Sequence, residues 1–210
     1  MSEYKTVKKS AQAEYEDRRS KFIGAVIPIT SEQQAVDFIN KRKSENFGAR
    51  HNVYAYILRS GNITRYSDDG EPHSTAGMPT LDVLKKNGLC DVCLVTTRYF
   101  GGVLLGTGGL VHAYTTAAKM AIEAAGIAVM TECYLCEATC SYNDHRRLEQ
   151  VINENGGSVK DTEFTDKVLV RFTVPEGLFQ NLNEKIVDGL SGRSEAIIVE
   201  RIWAEISENM

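Results

Sequence analysis

Val168-Leu169-Val170-Arg171-Phe172-Thr173-Val174-Pro175 alternates apolar with mixed positions after Lys167, the period of a strand that buries one face. Upstream, Thr165-Asp166 turns the chain back onto a second strand, 159–164. Before that, Leu148, Val151 and Ile152 repeat at helical spacing, with Asn143 or Asp144 as the cap and Asn155-Gly156-Gly157 as the stop. Tyr134, Cys136, Ala138 and Cys140 then mark an earlier half-buried strand. Downstream, Pro175 is expected to open a helix with Leu178, Leu182 and Ile186 on one face, ended by Ser191-Gly192 and followed by a strand over 196–203. The order is β-α-β-β-α-β, which implies a ferredoxin-like split unit with two helices on one antiparallel sheet. It carries no cluster of catalytic groups, and His145 reads as an exposed helix residue.

The first half is also mixed, so the chain is α+β with two domains, 1–131 and 132–210. Segments 11–17 and 22–29 read as strands joined by the charged turn Asp17-Arg18-Arg19-Ser20-Lys21. Ser31 opens a helix with Ala35, Val36, Phe38 and Ile39 inward, and Gln34 completes a Ser-x-x-Gln capping box. Segment 52–58 is a strand with Tyr54 and Tyr56 on one face, 78–87 a short helix, 91–97 a buried strand, and 108–125 a helix with an alanine-rich apolar stripe. Charge separates the halves. Residues 1–131 hold 16 basic and 13 acidic groups, a net of +3; residues 132–210 hold 8 and 15, a net of −7; together these give the −4 of the 210-residue chain.

That balance excludes a uniformly basic nucleic-acid coat but leaves room for a local basic face. The N-terminus has no apolar core of a secretory signal. The longest uncharged run, residues 99–118, is too rich in glycine and threonine, with His112, for a membrane span, and reads as a glycine loop followed by a buried helix start. Cys90 and Cys93, and Cys133, Cys136 and Cys140, suggest zinc by spacing. Both sets fall in strands, however, where positions three apart face opposite ways, so reduced core thiols in a cytoplasmic setting are the reading, with no metal or cofactor.

Chemistry is concentrated in three polar segments: the acidic loop 67–77 with Asp68, Asp69 and Glu71; the corner Arg98-Tyr99-Phe100-Gly101-Gly102; and Gly106-Thr107-Gly108-Gly109, which opens a helix. A glycine-rich helix start exposes N–H groups and a partial positive charge, suited to phosphate. It fits neither nucleotide-binding glycine motif, and no lysine follows. Equally, the glycines can serve tight packing. The acidic residues with His51 and His73 are the right types for a metal hydrolase, or else accept backbone N–H groups and cap a helix. Arg98 could bind phosphate or a base, or hold the acidic loop through a bidentate ion pair.

On these segments the chain resembles the YigZ/IMPACT family. The matching words are Arg19-Ser20-Lys21-Phe22-Ile23-Gly24, Ala49-Arg50-His51-Asn52-Val53-Tyr54-Ala55-Tyr56, Asp68-Asp69-Gly70-Glu71-Pro72, Thr75-Ala76-Gly77, Arg98-Tyr99-Phe100-Gly101-Gly102 and Leu105-Gly106-Thr107-Gly108-Gly109-Leu110. The resemblance implies a first domain like the second domain of ribosomal protein S5 and a second like domain V of elongation factor G. It implies a non-enzymatic regulator linked to translation, with RNA, the ribosome, a protein partner or a phosphate-bearing ligand as partner classes and no membrane. The alternatives are an enzyme on a phosphorylated or peptide substrate, such as a dipeptidase-like hydrolase, and a pure protein-interaction module. The binding residues it implies are His51, Asn52, Asp68, Asp69, Glu71, Arg98, Tyr99, Gly106, Thr107, Gly108 and Gly109. Four positions depart from the family pattern: Leu104 stands where it usually has Lys, His112 where it usually has Arg, and His73-Ser74 where it more often has Ser-Gly.

Overall fold

The computed structural model describes residues 3–205. In chain order the elements are β1 (Glu3–Val7), β2 (Ala11–Asp17), β3 (Ser20–Pro28), α1 (Glu32–Glu45), β4 (His51–Leu58), β5 (Ile63–Ser67), α2 (Gly77–Lys86), β6 (Val92–Tyr99), α3 (Gly106–Ala125), β7 (Ile127–Cys140), α4 (His145–Glu154), β8 (Ser158–Phe164), β9 (Val168–Pro175), α5 (Phe179–Gly189) and β10 (Ala196–Glu205). The chain forms two compact units, Tyr4–Ala128 and the residues from Val129 onward, with Glu3 in the latter. The break falls inside the unbroken strand β7, where hydropathy gives no sign of it.

In the first unit the sheet runs β2-β3-β6-β4-β5, every neighbour antiparallel. β6 lies at its centre, and its apolar run Val92-Cys93-Leu94-Val95 is buried on both faces, as a strand covered on two sides must be. Val92 and Leu94 pack with Leu81 and Leu84 of α2 and Ala118, Ala121 and Ile122 of α3. Cys93 and Val95 pack with Ala35 and Ile39 of α1. The unit is thus three layers, α1 on one face and α2 with α3 on the other. Ser31 caps α1 as expected, its Oγ accepting from Gln34 N, but the returning Gln34 Oε1 accepts from Thr30 N rather than Ser31 N. Tyr54 and Tyr56 stack at 6.2 Å.

In the second unit β10, β7, β9 and β8 lie in that order, antiparallel throughout, with α4 and α5 giving Leu148, Ile152, Leu182 and Ile186 to a core with Val168, Val170, Phe172 and Val174. Three expectations change here, the first being His145, read as exposed but partly buried with its ring 5.2 Å from that of Phe164. Pro175 ends β9 with extended backbone, and a 3-10 turn, Glu176–Leu178, precedes α5; Leu178 is 39% exposed and off the inner face. Glu176 is drawn instead to the Tyr134 hydroxyl and Arg201. Asp144 precedes α4 without capping it by its side chain, because its carboxylate takes Arg193 and the Ser141 hydroxyl.

The five cysteines are free thiols. Burial pushes the thiol of Cys93 up to about 12 and that of Cys136 to about 11, so both pack as neutral groups. Among the described residues no helix is long and apolar enough to cross a membrane.

Candidate functional site

Sheet register gathers the motif segments at one end of the first unit. Arg98, near the end of β6, lies opposite Phe22 of β3 and His51 of β4, while Tyr99 lies opposite Lys21. As the centre strand, β6 sets residues distant in sequence side by side.

Arg98 is 6% exposed and donates from one guanidinium nitrogen to Glu71 Oε1 at 2.7 Å. The hydroxyl of Tyr114, fully buried on α3, donates to the same oxygen at 2.8 Å. Burial and the adjacent carboxylate push that hydroxyl far above the ordinary tyrosine range, so it stays a donor. The guanidinium also lies 5.4 Å from the Phe22 ring and 5.6 Å from that of Phe100, close enough for cation–π attraction. This network ties the acidic loop, β6 and α3 together. The ion pair is made through one nitrogen rather than the expected two, and Arg98 Nε is buried without a hydrogen-bond partner among the described residues.

The acidic loop spends its charge internally. Asp68 Oδ1 accepts from Ala76 N and Gly77 N at the start of α2, and Oδ2 accepts from Ser74 N. A carboxylate at a helix N-terminus satisfies unpaired donors and opposes the dipole. Ser74 holds φ 61°, a left-handed conformation that glycine would adopt at less cost. Asp69 accepts from Asn52 N at 2.7 Å and from the Lys43 ammonium at 2.8 Å, and His51 Nδ1 lies 2.8 Å from the Asp69 carbonyl oxygen, to which it donates. Asn52 Oδ1 accepts from Thr97, and the Tyr99 hydroxyl donates to Asn46 Oδ1 at 3.0 Å.

The glycine-rich entrance to α3 is different. Gly106, Thr107 and Gly108 are exposed, which corrects the expectation of a buried start; the apolar stripe begins only at Leu110. Leu105 precedes the helix without a side-chain cap, and a Cβ on Gly106 or Gly108 would meet nothing within 4 Å. A 20-residue helix therefore begins with N–H groups in open solvent. The β2–β3 turn is brought against this entrance. Asp17 pairs with Ser20, leaving Arg18 and Arg19 as a two-residue loop with φ 45° and 67°. Gly101 sits so close that a Cβ there would lie 2.0 Å from the Arg19 carbonyl carbon, while Gly101 N donates to Ser20 Oγ. Arg18 reaches the Leu104 carbonyl at 3.5 Å.

The structure therefore places two shells at this end of the sheet. Asn52, Glu71 and Arg98 are buried, and His51, Asp68, Asp69 and Tyr99 are partly buried, each hydrogen-bonded within the fold. Gly106, Thr107 and Gly108, with Gly109 behind them, form an exposed rim with the Arg18-Arg19 turn, which Arg18 and Gly101 tie to the segment before α3; Phe100 precedes Gly101, and exposed Phe47 and Arg50 lie on the segment that Asn46 joins to Tyr99. Sequence reasoning missed Tyr114, which looked like one more residue of an apolar stripe. It also missed the link between Arg18-Arg19 and the glycine loop. The sequence reading puts Ser20 and Lys21 in the turn, whereas both belong to β3 and only Arg18 and Arg19 form the loop, so the approach of that loop to Gly101 had no local signal.

Comparison with known proteins agrees with the motif pattern. Residues 18–122 match the Impact N-terminal domain, and residues 139–193 match a domain of unknown function (DUF1949). The chain is 32% identical over 207 residues to the IMPACT family member YvyE of Bacillus subtilis, covering 98% of this chain and 95% of that one. It is 29% identical over 190 residues to the IMPACT family member YigZ of Escherichia coli, covering 88% and 92%. A crystal structure described as that of a hypothetical protein superposes with a TM-score of 0.61 at 27% identity, covering 95% of this chain and 98% of the other. With both of its units matched and its relatives aligned over nearly their whole length, the chain belongs to the IMPACT family.

Proposed function

We propose that this protein is a non-enzymatic regulator acting near translation in the cytoplasm, and that its first unit binds RNA along the rim at the end of the sheet. The juxtaposition of Arg18 and Arg19 with the open start of α3 carries the reading. Two guanidinium groups beside unpaired N–H donors suit phosphate, and they supply the cations that Leu104 and His112 do not. The strained conformation supports the same reading. A left-handed φ costs a non-glycine residue about 1–2 kcal/mol, and two consecutive arginines hold it at an exposed turn where glycine would serve stability better. The acidic loop supports a binding role rather than hydrolysis, because Asp68, Asp69 and Glu71 are already engaged by donors of their own fold.

The same reading takes the first unit as like the second domain of ribosomal protein S5 and the second as like the ferredoxin-like domain V of elongation factor G, both of which occur in translation machinery. The test is RNA binding by the intact chain, followed by fluorescence anisotropy, for wild type and the Arg18→Ala/Arg19→Ala double variant. The expected result is a loss of about tenfold or more with an unchanged melting temperature. Equal affinity of the two proteins would refute the placement.

A further inference from the structure

We infer that the rim takes unpaired nucleobases, so that the RNA bound there is single-stranded; this rests on the RNA-binding reading above. The observation is an exposed aromatic ring, Phe100, one residue before the Gly101 that packs against Arg19, with a second exposed ring, Phe47, on the segment joined to it. Phe47 is 93% exposed, just past the end of α1, and Phe100 is 48% exposed, just past the end of β6. The Tyr99–Asn46 hydrogen bond at 3.0 Å ties the two segments together, because each phenylalanine follows one of its partners. Arg50 is exposed three residues beyond Phe47. Phe100 has the Arg98 guanidinium 5.6 Å from its ring centroid, so the ring is positioned by the buried brace rather than by chance packing.

The part of a phenylalanine left in water contributes nothing to the core, since the gain from an apolar side chain comes from removing it from water. Its flat face is instead suited to stacking. Bases in a duplex already stack on one another and offer only their edges, whereas an unpaired base has a free face, and aromatic platforms with arginines tracking the backbone are how proteins hold single strands. The exposed ring faces therefore favour a single strand over an A-form helix, while Arg18 and Arg19 supply the phosphate attraction.

The experiment compares the intact protein against a short unstructured polyuridine strand and an RNA duplex of equal length, with a DNA strand of equal length as a third probe. Variants are Phe100→Ala, Phe47→Ala and the conservative Phe100→Tyr. The expected result is preference for the single strand, a loss of about fivefold to a hundredfold for each alanine variant with the salt dependence unchanged, and near wild-type binding for Phe100→Tyr. Binding of the DNA strand would meet the stacking claim equally and show that the sugar is not read. Equal or tighter duplex binding, or alanine variants that bind RNA like wild type, would overturn the inference while leaving RNA binding intact. Absence of binding to either RNA would remove both readings.

Discussion

At the scale of single residues, Arg98, Glu71 and Tyr114 form a brace, and its behaviour follows from burial. A buried ion pair is costly to assemble, but removing one member leaves the other charged and unpaired, at a cost of about 3–5 kcal/mol. Arg98→Ala is therefore expected to lower unfolding free energy by about that amount, measured by urea denaturation; a loss below about 1 kcal/mol would show that the pair is not held as described. Tyr114 gives a pH signature. Its folded-state pKa is raised by burial and by Glu71, while in the unfolded chain it ionises near the ordinary value of about 10. Its contribution is complete below that value and is lost as pH rises above it, because the unfolded chain then gives up a proton the folded chain keeps. Tyr114→Phe should cost about 1 kcal/mol at neutral pH and flatten the alkaline fall in stability. Tyr56, also raised by burial and by its hydrogen bond to Glu32, should leave part of that fall in place. Unfolding curves measured with increasing alkalinity check both points.

At the scale of elements, the β2–β3 hairpin shows what function requires of local structure. Two residues with positive φ close the hairpin, the geometry for which Asn-Gly is preferred. Arg18→Asn with Arg19→Gly should therefore raise stability by about 1 kcal/mol or more, seen as a higher denaturation midpoint, while weakening RNA binding. An exchange that stabilises and leaves binding untouched would make the arginines ordinary turn surface. Legibility from sequence followed the range of the interactions involved. The helices α1 and α3 and the alternating strand β9 announce themselves through period, and α1 also through its Ser31 cap, although Val36, expected inward on α1, is 39% exposed. β1 and β5 did not. β1 is short and is held by distant groups: the Lys5 carbonyl accepts from Cys90 N, and Arg59 lies 3.7 Å over the Tyr4 ring. Leu178 fell on the predicted helix face, but strand β9 runs through Pro175 and starts the helix later. Likewise the acidic loop, the arginine corner and the glycine entrance were each visible as motifs. That Glu71 and Tyr114 meet on Arg98, and that Arg19 lies against Gly101, depends on sheet register and on a close approach that no local pattern records.

At the scale of the whole molecule, the basic surplus lies in residues 1–131 and the acidic one in residues 132–210, with nets of +3 and −7. A chain that is acidic overall can attract RNA only through a concentrated cationic face, so affinity must come from few phosphate contacts and must weaken with salt. The most direct measurement is the salt dependence of RNA affinity for the intact protein and its Arg18→Ala/Arg19→Ala variant. Logarithmic affinity should fall linearly with logarithmic salt for the wild type, and the variant should lose about 1–1.5 from that slope, near 0.7 per phosphate contact removed. A wild-type slope near zero, or two slopes that coincide, would contradict the assignment of the rim as the RNA-binding surface.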